Sequence, residues 1–179
     1  MTTDTYKRYQ LACATQSDIQ HHLGLLFSLA RGNVLELGTR GGVSTVALLA
    51  GVELHGGHVW SVDIEDCSGV LPAHEQWTFF QGDSRDPELP GRVAISRFPE
   101  EVKGINLLLI DTQHEYEIAQ AELKLWGPYL APGGSICMHD IETFPGVRRA
   151  AREFAERVGW PITYVLPCHG MAVIERPLC

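Results

Sequence analysis

The chain has 179 residues, of which 45% are hydrophobic and 20% are charged, and its formal net charge at pH 7 is −8. This length and composition fit one globular domain with a substantial core. The negative charge disfavours a nucleic-acid partner, because an acidic surface repels a phosphate backbone. No apolar run reaches membrane-spanning length and no signal-peptide pattern opens the chain, so we expect no membrane partner and a cytoplasmic location. The five cysteines, an odd number without a C-x-x-C pair, fit reduced thiols in that compartment.

Helices and strands are predicted to alternate along the chain. Residues 1–16 are expected to form an N-terminal lid or a tail, and 17–30 have apolar residues at helical spacing, with His21 and His22 on the helix surface. The predicted strands are 33–37, 58–64, 77–82, 105–111, 134–139, 162–166 and 171–175, and the further helices are 44–51, 116–126 and 147–158.

This alternation predicts an α/β fold for a single domain over 1–179. The sheet is expected to be doubly wound, mostly parallel and seven-stranded, since the short turn before 171–175 implies a terminal antiparallel hairpin. In such sheets, ligands bind beyond the C-terminal ends of the strands, near the point where the strand order reverses. Polar residues that follow the strands are therefore the candidates for function.

The first strand runs into a glycine turn and then a helix, in the sequence NVLELGTRGG at 33–42. Such a turn lets the backbone approach a ligand and points free N–H groups at it. Arg40 stands where a dinucleotide fingerprint requires its second glycine, which disfavours a nicotinamide dehydrogenase. The remaining pattern, E-x-G-x-x-x-G from Glu36 to Gly42, resembles the first motif of the class I S-adenosylmethionine (SAM) methyltransferases.

Two further strand ends extend the predicted cofactor site. Asp63, at the end of the second strand, could accept hydrogen bonds from both ribose hydroxyls, although a turn or helix-cap role is the alternative. Gly82, Asp83 and Ser84 resemble the adenine-binding segment of the same family, and an Asx turn is the alternative there. The resemblance implies SAM as cofactor and the following binding residues: Glu36, Gly38, Thr39, Arg40, Gly41, Gly42, Asp63, Ile64, Gly82, Asp83, Ser84 and Asp111.

The segment from Asp111 to Asp140 narrows the resemblance to one branch of the family. It reads DTQHEYEIAQAELKLWGPYLAPGGSICMHD. This is similar to the D-x-x-H-x-Y-E…L…PGG…HD signature of small-molecule methyltransferases, a branch that includes sugar and macrolide O-methyltransferases and cephalosporin-hydroxylase-like proteins. The motif matches together extend from Asn33 to Arg152.

Metal-dependent relatives hold a divalent ion over the fourth and fifth strands. Carried over by position, the resemblance implies Asp111, His139 and Asp140 as ligands, with Mg²⁺ as the ion of such relatives. The position of His139 is often an acid in that group. Mg²⁺ prefers oxygen ligands, whereas a histidine nitrogen favours a transition metal or no metal. His114 is a further candidate ligand or base.

The resemblance implies methyl transfer to a small-molecule acceptor. A hydroxyl acceptor must lose its proton, so a metal must lower its pKa or a base must accept the proton. We predict His114, His139 and Asp140 as the catalytic residues. The chain lacks the N-P-P-Y motif that cradles an amino nitrogen, which makes oxygen the expected acceptor. Because a partner subunit could supply a lid, a homodimer is also expected.

Two alternatives remain open from the sequence. A hydroxylase-like enzyme could bind non-heme iron through His114, His139 and Asp111. A non-catalytic SAM-binding module would have the same glycine turn and the same Asp63.

Overall fold

The computed structural model describes residues 3–95 and 104–178. The elements, in chain order, are α1 (Thr3–Ala14), a 3₁₀ turn (Gln20–His22), α2 (Leu23–Leu29), β1 (Gly32–Leu37), α3 (Val43–His55), β2 (Gly57–Asp63), β3 (Trp77–Gln81), α4 (Leu89–Ile95), β4 (Ile105–Ile110), α5 (Tyr116–Trp126), a second 3₁₀ turn (Gly127–Tyr129), β5 (Leu130–His139), α6 (Pro145–Val158), β6 (Ile162–Val165) and β7 (Met171–Glu175).

One sheet contains all seven described strands, in the order β3-β2-β1-β4-β5-β7-β6. The strands from β3 to β5 pair in parallel, whereas β7 pairs antiparallel with both β5 and β6. The predicted fold class and terminal hairpin are thus confirmed. The strand order reverses between β1 and β4, so their C-terminal ends flank the cleft where a doubly wound sheet binds its ligands.

The core lies on both faces of the sheet. In β4, Leu107 and Leu109 pack with α2 and α3, whereas Leu108 and Ile110 pack with α5 and α6. Alternate side chains of a strand point to opposite faces, so a strand covered on both faces becomes a continuous apolar run. This is why INLLLI is apolar except at Asn106 near its start, and why the residue after it, Asp111, is the first at the strand end that can face a ligand.

The N-terminal segment differs most from the expected elements. Within the segment 1–16 that was expected to be a lid or tail, Thr3–Ala14 form the helix α1. Residues 1–2 lie outside the described residues. The hydroxyl of Thr5 donates a 2.9 Å hydrogen bond to Glu53 of α3, which joins the two helices. The predicted helix over 17–30 is broken into a 3₁₀ turn and α2. Among the described residues, no helix has both the length and the apolar character needed to cross a membrane.

Candidate active site

The backbone of the turn between β1 and α3 packs closely against the end of the neighbouring strand β4. Gly38 has a φ of 91°, and a Cβ atom there would lie 2.0 Å from the carbonyl oxygen of Asp111. Gly42, at a φ of 75°, directly precedes α3. Only glycine adopts these conformations without a steric penalty. The turn therefore ends at a helix N-terminus whose free N–H groups favour anionic or polar ligands.

Asp63 braces this turn from the end of β2. Its Oδ2 accepts hydrogen bonds from the backbone N–H groups of Thr39 (2.8 Å) and Arg40 (2.9 Å), and its Oδ1 accepts one from Glu65 (3.0 Å). Burial alone would raise the pKa of Asp63, but these three N–H groups outweigh it and lower the pKa. Asp63 is thus an ionised carboxylate that orders the turn and remains at the edge of the cavity described below.

Glu36 lies beneath the turn and is fully buried. Its carboxyl group accepts three hydroxyl hydrogen bonds, from Ser44 (2.6 Å), Thr45 (2.8 Å) and Ser61 (2.5 Å). Burial raises its pKa to about 7, against the lowering effect of the hydroxyls. These contacts tie β1 to the first turn of α3 and to β2. Glu36, expected among the cofactor-binding residues, is therefore positioned to support the turn and does not line the cavity.

A cavity of about 410 Å³ opens above the ends of β1 to β4. It brings together eight of the twelve predicted cofactor residues: Gly38, Arg40, Asp63, Ile64, Gly82, Asp83, Ser84 and Asp111. Thr39 and Gly41 line a second cavity, whereas Glu36 and Gly42 line neither of the two. Glu65, Arg85, Thr112 and Glu122 line the first cavity although the sequence did not single them out for the cofactor.

Arg85 forms a bidentate ion pair with the carboxylate of Asp83. The guanidinium donates from Nε to Oδ1 (2.8 Å) and from Nη2 to Oδ2 (2.7 Å), and the backbone N–H of Arg85 also donates to Oδ1. These hydrogen bonds lower the pKa of Asp83. Because both of its carboxylate oxygens accept hydrogen bonds from Arg85, Asp83 lines the cavity as one half of an ion pair and not as a free carboxylate.

Glu122 is a buried carboxyl group at the wall of the same cavity. It accepts hydrogen bonds from the hydroxyls of Ser84 (2.5 Å) and Thr112 (2.8 Å), which follow β3 and β4. Burial raises its pKa. A sequence signal existed, since Glu122 lies in the apolar phase of α5 with Ala119, Leu123 and Trp126, where an unpaired glutamate is rare.

The second cavity, of about 670 Å³, shares Gly38, Arg40, Asp111 and Thr112 with the first. Its other walls come from 17–19, from the start of α3 and from the ends of β4 and β5. Two buried hydroxyl oxygens among its lining residues, Ser17 Oγ and Thr39 Oγ1, have no hydrogen-bond partner among the described residues. Buried polar atoms normally have partners, so this wall is suited to a polar ligand.

Two aspartates and two histidines converge beside this second cavity. His114 Nε2 lies 2.7 Å from Asp140 Oδ2 and 3.7 Å from Asp111 Oδ1. His139 Nδ1 lies 3.4 Å from the same oxygen of each aspartate. Asp140 has a φ of 64°, a left-handed conformation that is uncommon for a non-glycine residue and is found preferentially at functional sites. All the predicted catalytic and metal-ligating residues are brought together here.

The charges of this cluster are strongly coupled. The carboxylates of Asp111 and Asp140 raise the pKa of His114 to about 9. Burial opposes protonation of His139, but the same carboxylates outweigh it and raise its pKa to about 10. In return the histidines lower the pKa of both aspartates, against the burial that would raise them. The two neighbouring carboxylates therefore favour positive charge between them, which either protons on the histidines or a metal ion can supply.

The donor set fits a divalent ion. One ligand atom from each of Asp111, His139 and Asp140 lies within 4.8 Å of the others. The Nε2 atom of His139 lies 3.1 Å from the carbonyl oxygen of Cys168, which can only accept, so Nε2 carries the proton. The lone pair of neutral His139 is then on Nδ1, which faces the carboxylates and has no partner of hydrogen-bond geometry among the residues that the structure describes. A histidine oriented by a backbone carbonyl in this way is typical of a metal ligand.

His22 was expected at the surface, and this prediction was wrong. It is fully buried, and its Nε2 lies 3.2 Å from the Cys168 carbonyl oxygen that also contacts His139. The two imidazole rings meet edge to face, with centroids 5.4 Å apart. This contact joins residues far apart in the chain, so helical spacing around position 22 gave no signal for it.

The sequence profile of a family described as a methyltransferase domain matches residues 35–141. The match begins in β1 and ends just after Asp140, so it contains the glycine turn, the cavity-lining Asp63 and Asp83 and the histidine–aspartate cluster. No curated protein matches the sequence significantly.

Several solved structures share the fold. A Corynebacterium glutamicum protein is 14% identical, with a TM-score of 0.72 over 99% of this chain and 92% of its own. CalS11, a TDP-rhamnose 3′-O-methyltransferase of calicheamicin biosynthesis, is 16% identical, with a TM-score of 0.66 over 97% and 93%. MycE, from mycinamycin biosynthesis, was solved with Mg, SAH and mycinamycin VI; it is 19% identical, with a TM-score of 0.64 over 89% of this chain. The match spans 48% of MycE, about half of that protein.

Proposed function

Because the chain belongs to the methyltransferase-domain family and is a class I SAM-dependent methyltransferase, we propose that it methylates a hydroxyl oxygen of a small molecule. The observation that carries this proposal is the pair of adjoining cavities at the switch point of the sheet. They share Gly38, Asp111 and Thr112, so a ligand in one would meet a ligand in the other at the ends of β1 and β4.

In this proposal the first cavity binds SAM, which supplies the electrophilic methyl group. Gly38 lets the backbone approach the cofactor closely. The ribose hydroxyls are bound by the carboxylate of Asp63, with Glu65 beside it, and the adenine lies near Asp83 and Ser84. Arg85 neutralises Asp83 there, which keeps the adenine side of the cavity from being strongly acidic.

The second cavity binds the acceptor. Ser17 and Thr39 would donate to or accept from its polar groups, since their hydroxyls are buried and lack partners. The alignment of the acceptor oxygen with the methyl group is the main catalytic requirement of an in-line displacement. Asp111 and Thr112 lie on the boundary between the two cavities, where that alignment has to occur.

The acceptor hydroxyl must also lose its proton. His114 in its neutral form is the proposed base, because the residue lines the acceptor cavity while Asp111 and Asp140 stabilise the imidazolium that forms. Asp111, His139 and Asp140 would hold a divalent ion, which when bound lowers the pKa of a nearby hydroxyl. Phe144 stacks on the His114 ring at 4.3 Å and fixes its orientation.

The structural neighbours support a small hydroxylated acceptor. CalS11 acts on the 3′ oxygen of TDP-rhamnose, and MycE binds mycinamycin VI together with Mg and SAH. A homodimer, in which a partner subunit closes the acceptor cavity, belongs to the same proposal and can be tested by analytical ultracentrifugation.

Calorimetric titration of the purified protein with SAM tests the proposal, with NADH as the control ligand. We expect micromolar binding of SAM and none of NADH. Asp63→Ala should weaken SAM binding at least about tenfold, because it removes both the proposed ribose acceptor and the brace of the turn. Glu65→Gln is the matched control, and we expect a change of less than about threefold.

If Glu65→Gln weakened binding as much as Asp63→Ala, the ribose contact would belong to Glu65. Absence of SAM binding, combined with iron-dependent oxygen consumption, would replace the proposal with the hydroxylase-like alternative.

A further inference from the structure

The imidazole of His139 is held in one orientation and in one tautomer. The side chain is fully buried, and its Nε2–H donates to the Cys168 carbonyl at 3.1 Å. Nδ1, which carries the lone pair when the imidazole is neutral, therefore points between Asp111 Oδ1 and Asp140 Oδ2, at 3.4 Å from each. Neither contact has hydrogen-bond geometry, so within the described part of the chain Nδ1 is a buried nitrogen that faces two carboxylates without a hydrogen-bond partner.

The turn between β6 and β7 fixes the carbonyl that selects this tautomer. Cys168 and His169 are consecutive non-glycine residues at left-handed φ values of 55° and 66°. The turn is closed by the Gly170 N–H, which donates to Pro167 at 3.1 Å. It is also hydrogen-bonded to the segment that follows β5, since the Glu142 N–H donates to the His169 carbonyl at 2.8 Å.

His22 supports the same carbonyl from the other side. Its Nε2 lies 3.2 Å from the Cys168 oxygen, so two imidazoles bond one acceptor. Three segments thus hold His139 Nδ1 toward the carboxylates: β5, which carries His139, the turn between β6 and β7, and the 3₁₀ turn that carries His22. This arrangement gives the Nδ1 lone pair of neutral His139 a defined direction toward the carboxylates, whereas a proton on Nδ1 lies outside hydrogen-bond geometry to both of them.

We infer that His139 Nδ1 is a metal ligand and that the Asp111–His139–Asp140 site takes a borderline first-row transition ion, of the Co²⁺ or Zn²⁺ class, in preference to Mg²⁺. The inference deepens the proposed function, on which its catalytic meaning rests. Mg²⁺ favours six oxygen ligands in octahedral geometry, whereas an imidazole nitrogen gains affinity along the Irving–Williams series. His139 is therefore the residue that sets the metal preference.

The test measures the binding of Co²⁺ and of Mg²⁺ to chelator-stripped protein by calorimetry, in the absence of SAM. His139→Glu replaces the nitrogen with an oxygen donor, and His55→Gln, an exposed histidine at the end of α3, is the matched control. Since every carboxylate site prefers Co²⁺ to Mg²⁺ to some degree, the informative quantity is the ratio of the two affinities. We expect this ratio to fall at least about tenfold in His139→Glu and to stay unchanged in His55→Gln.

Proton NMR of the Co²⁺-loaded wild-type protein gives a second readout that needs no variant. The Nε2–H of a bound His139 is buried against Cys168, so it should exchange slowly and give a strongly paramagnetically shifted signal that disappears in D₂O. His114→Gln should retain that signal, because His114 contacts the site from its open side.

Failure of wild-type protein to bind Co²⁺, absence of the shifted signal, or an affinity ratio unaltered in His139→Glu would each overturn the inference. If His139→Glu does not fold, the wild-type NMR signal decides. A SAM titration on the same preparations separates the two proposals: SAM binding without the expected metal behaviour removes this inference alone, and loss of SAM binding removes the proposed function.

Discussion

Glu36 places an ionisable group in the core, and its raised pKa links the stability of the protein to pH. In the folded protein its pKa is about 7, compared with 4.5 for a free glutamate. A group whose pKa is raised on folding stabilises the protein fully below its unfolded pKa, and this contribution is lost as the pH rises through the folded pKa. Relative to Glu36→Gln, the wild-type free energy of unfolding should therefore fall by about 3 kcal/mol between about pH 4 and pH 8.

Urea unfolding of both proteins across that pH range measures the difference directly. Glu75→Gln, an exposed glutamate, is the control, and its profile should run parallel to that of the wild type. A Glu36→Gln profile that also runs parallel to the wild type would contradict the raised pKa.

Glu122 joins two strand ends that line the proposed SAM cavity. Replacement by alanine leaves the hydroxyls of Ser84 and Thr112 without their acceptor, and an unsatisfied buried hydroxyl costs about 1–3 kcal/mol. We expect Glu122→Ala to weaken SAM binding about tenfold, because the ends of β3 and β4 lose their common contact. Glu122→Gln keeps an acceptor oxygen and should restore most of the affinity in the same calorimetric assay. Equal SAM affinity in the alanine variant and the wild type would show that the network is structural only.

The sequence identified single site residues where they directly follow a strand. Asp63, Asp111 and Asp140 could be predicted because hydrophobic periodicity locates the strand ends, and parallel strands bring those ends together. The pairing of Asp83 with Arg85 and the burial of His22 could not, since each depends on how a loop or a distant carbonyl is oriented. Side-chain direction in a turn is set by tertiary contacts that leave no periodic pattern.

At the level of elements, the turn between β1 and α3 is the most constrained connection. Gly38→Ala would put a Cβ atom against the backbone of Asp111 at a positive φ, and neither strand can move without breaking the ladder between them. We expect a loss of at least about 2 kcal/mol in the free energy of unfolding. Gly41→Ala in the same turn is the matched control, because no described atom lies within 4 Å of its Cβ position. Thermal and urea denaturation measure both, and equal stability of the two variants would contradict the constraint.

The prediction of elements succeeded where the burial pattern was strong. The bounds of α5 and β7 were predicted without error, since α5 has one apolar face and β7 is bounded by turn residues. α4 was not predicted, because it has seven residues and Pro90 and Gly91 near its start weaken a helical pattern; among its described side chains, Leu89 and Val93 lie in the core. α1 was not predicted as a helix either, since its sequence is mostly polar and it docks through contacts with distant segments, among them Thr5–Glu53 and the stacking of Tyr9 on Phe27.

At the level of the whole molecule, the strand order divides the site into two halves that meet between β1 and β4. The ends of β1 to β4 line the first cavity, whereas the histidine–aspartate cluster is held by the ends of β4 and β5 together with the β6–β7 turn. The strand alternation predicted this sheet, but the approach of the C-terminal hairpin turn to His139 follows from the antiparallel pairing of β7 with β5. That pairing joins segments 32 to 40 residues apart, from His139 with Met171 to Ser135 with Glu175, and only the folded chain gives its register.

The two halves should respond separately to their ligands in hydrogen–deuterium exchange, because ligand binding slows local opening where the ligand contacts the chain. SAM alone should slow amide exchange at 38–42, 63–65 and 82–85, the segments around the first cavity. Co²⁺ alone should slow exchange at 139–142 and 168–170, since these segments carry His139 and Asp140 and the carbonyl that orients His139. Exchange in α1 serves as the internal control and should not change with either ligand. Protection by SAM confined to 139–142 and 168–170 would place the cofactor in the wrong half and contradict the division of the site.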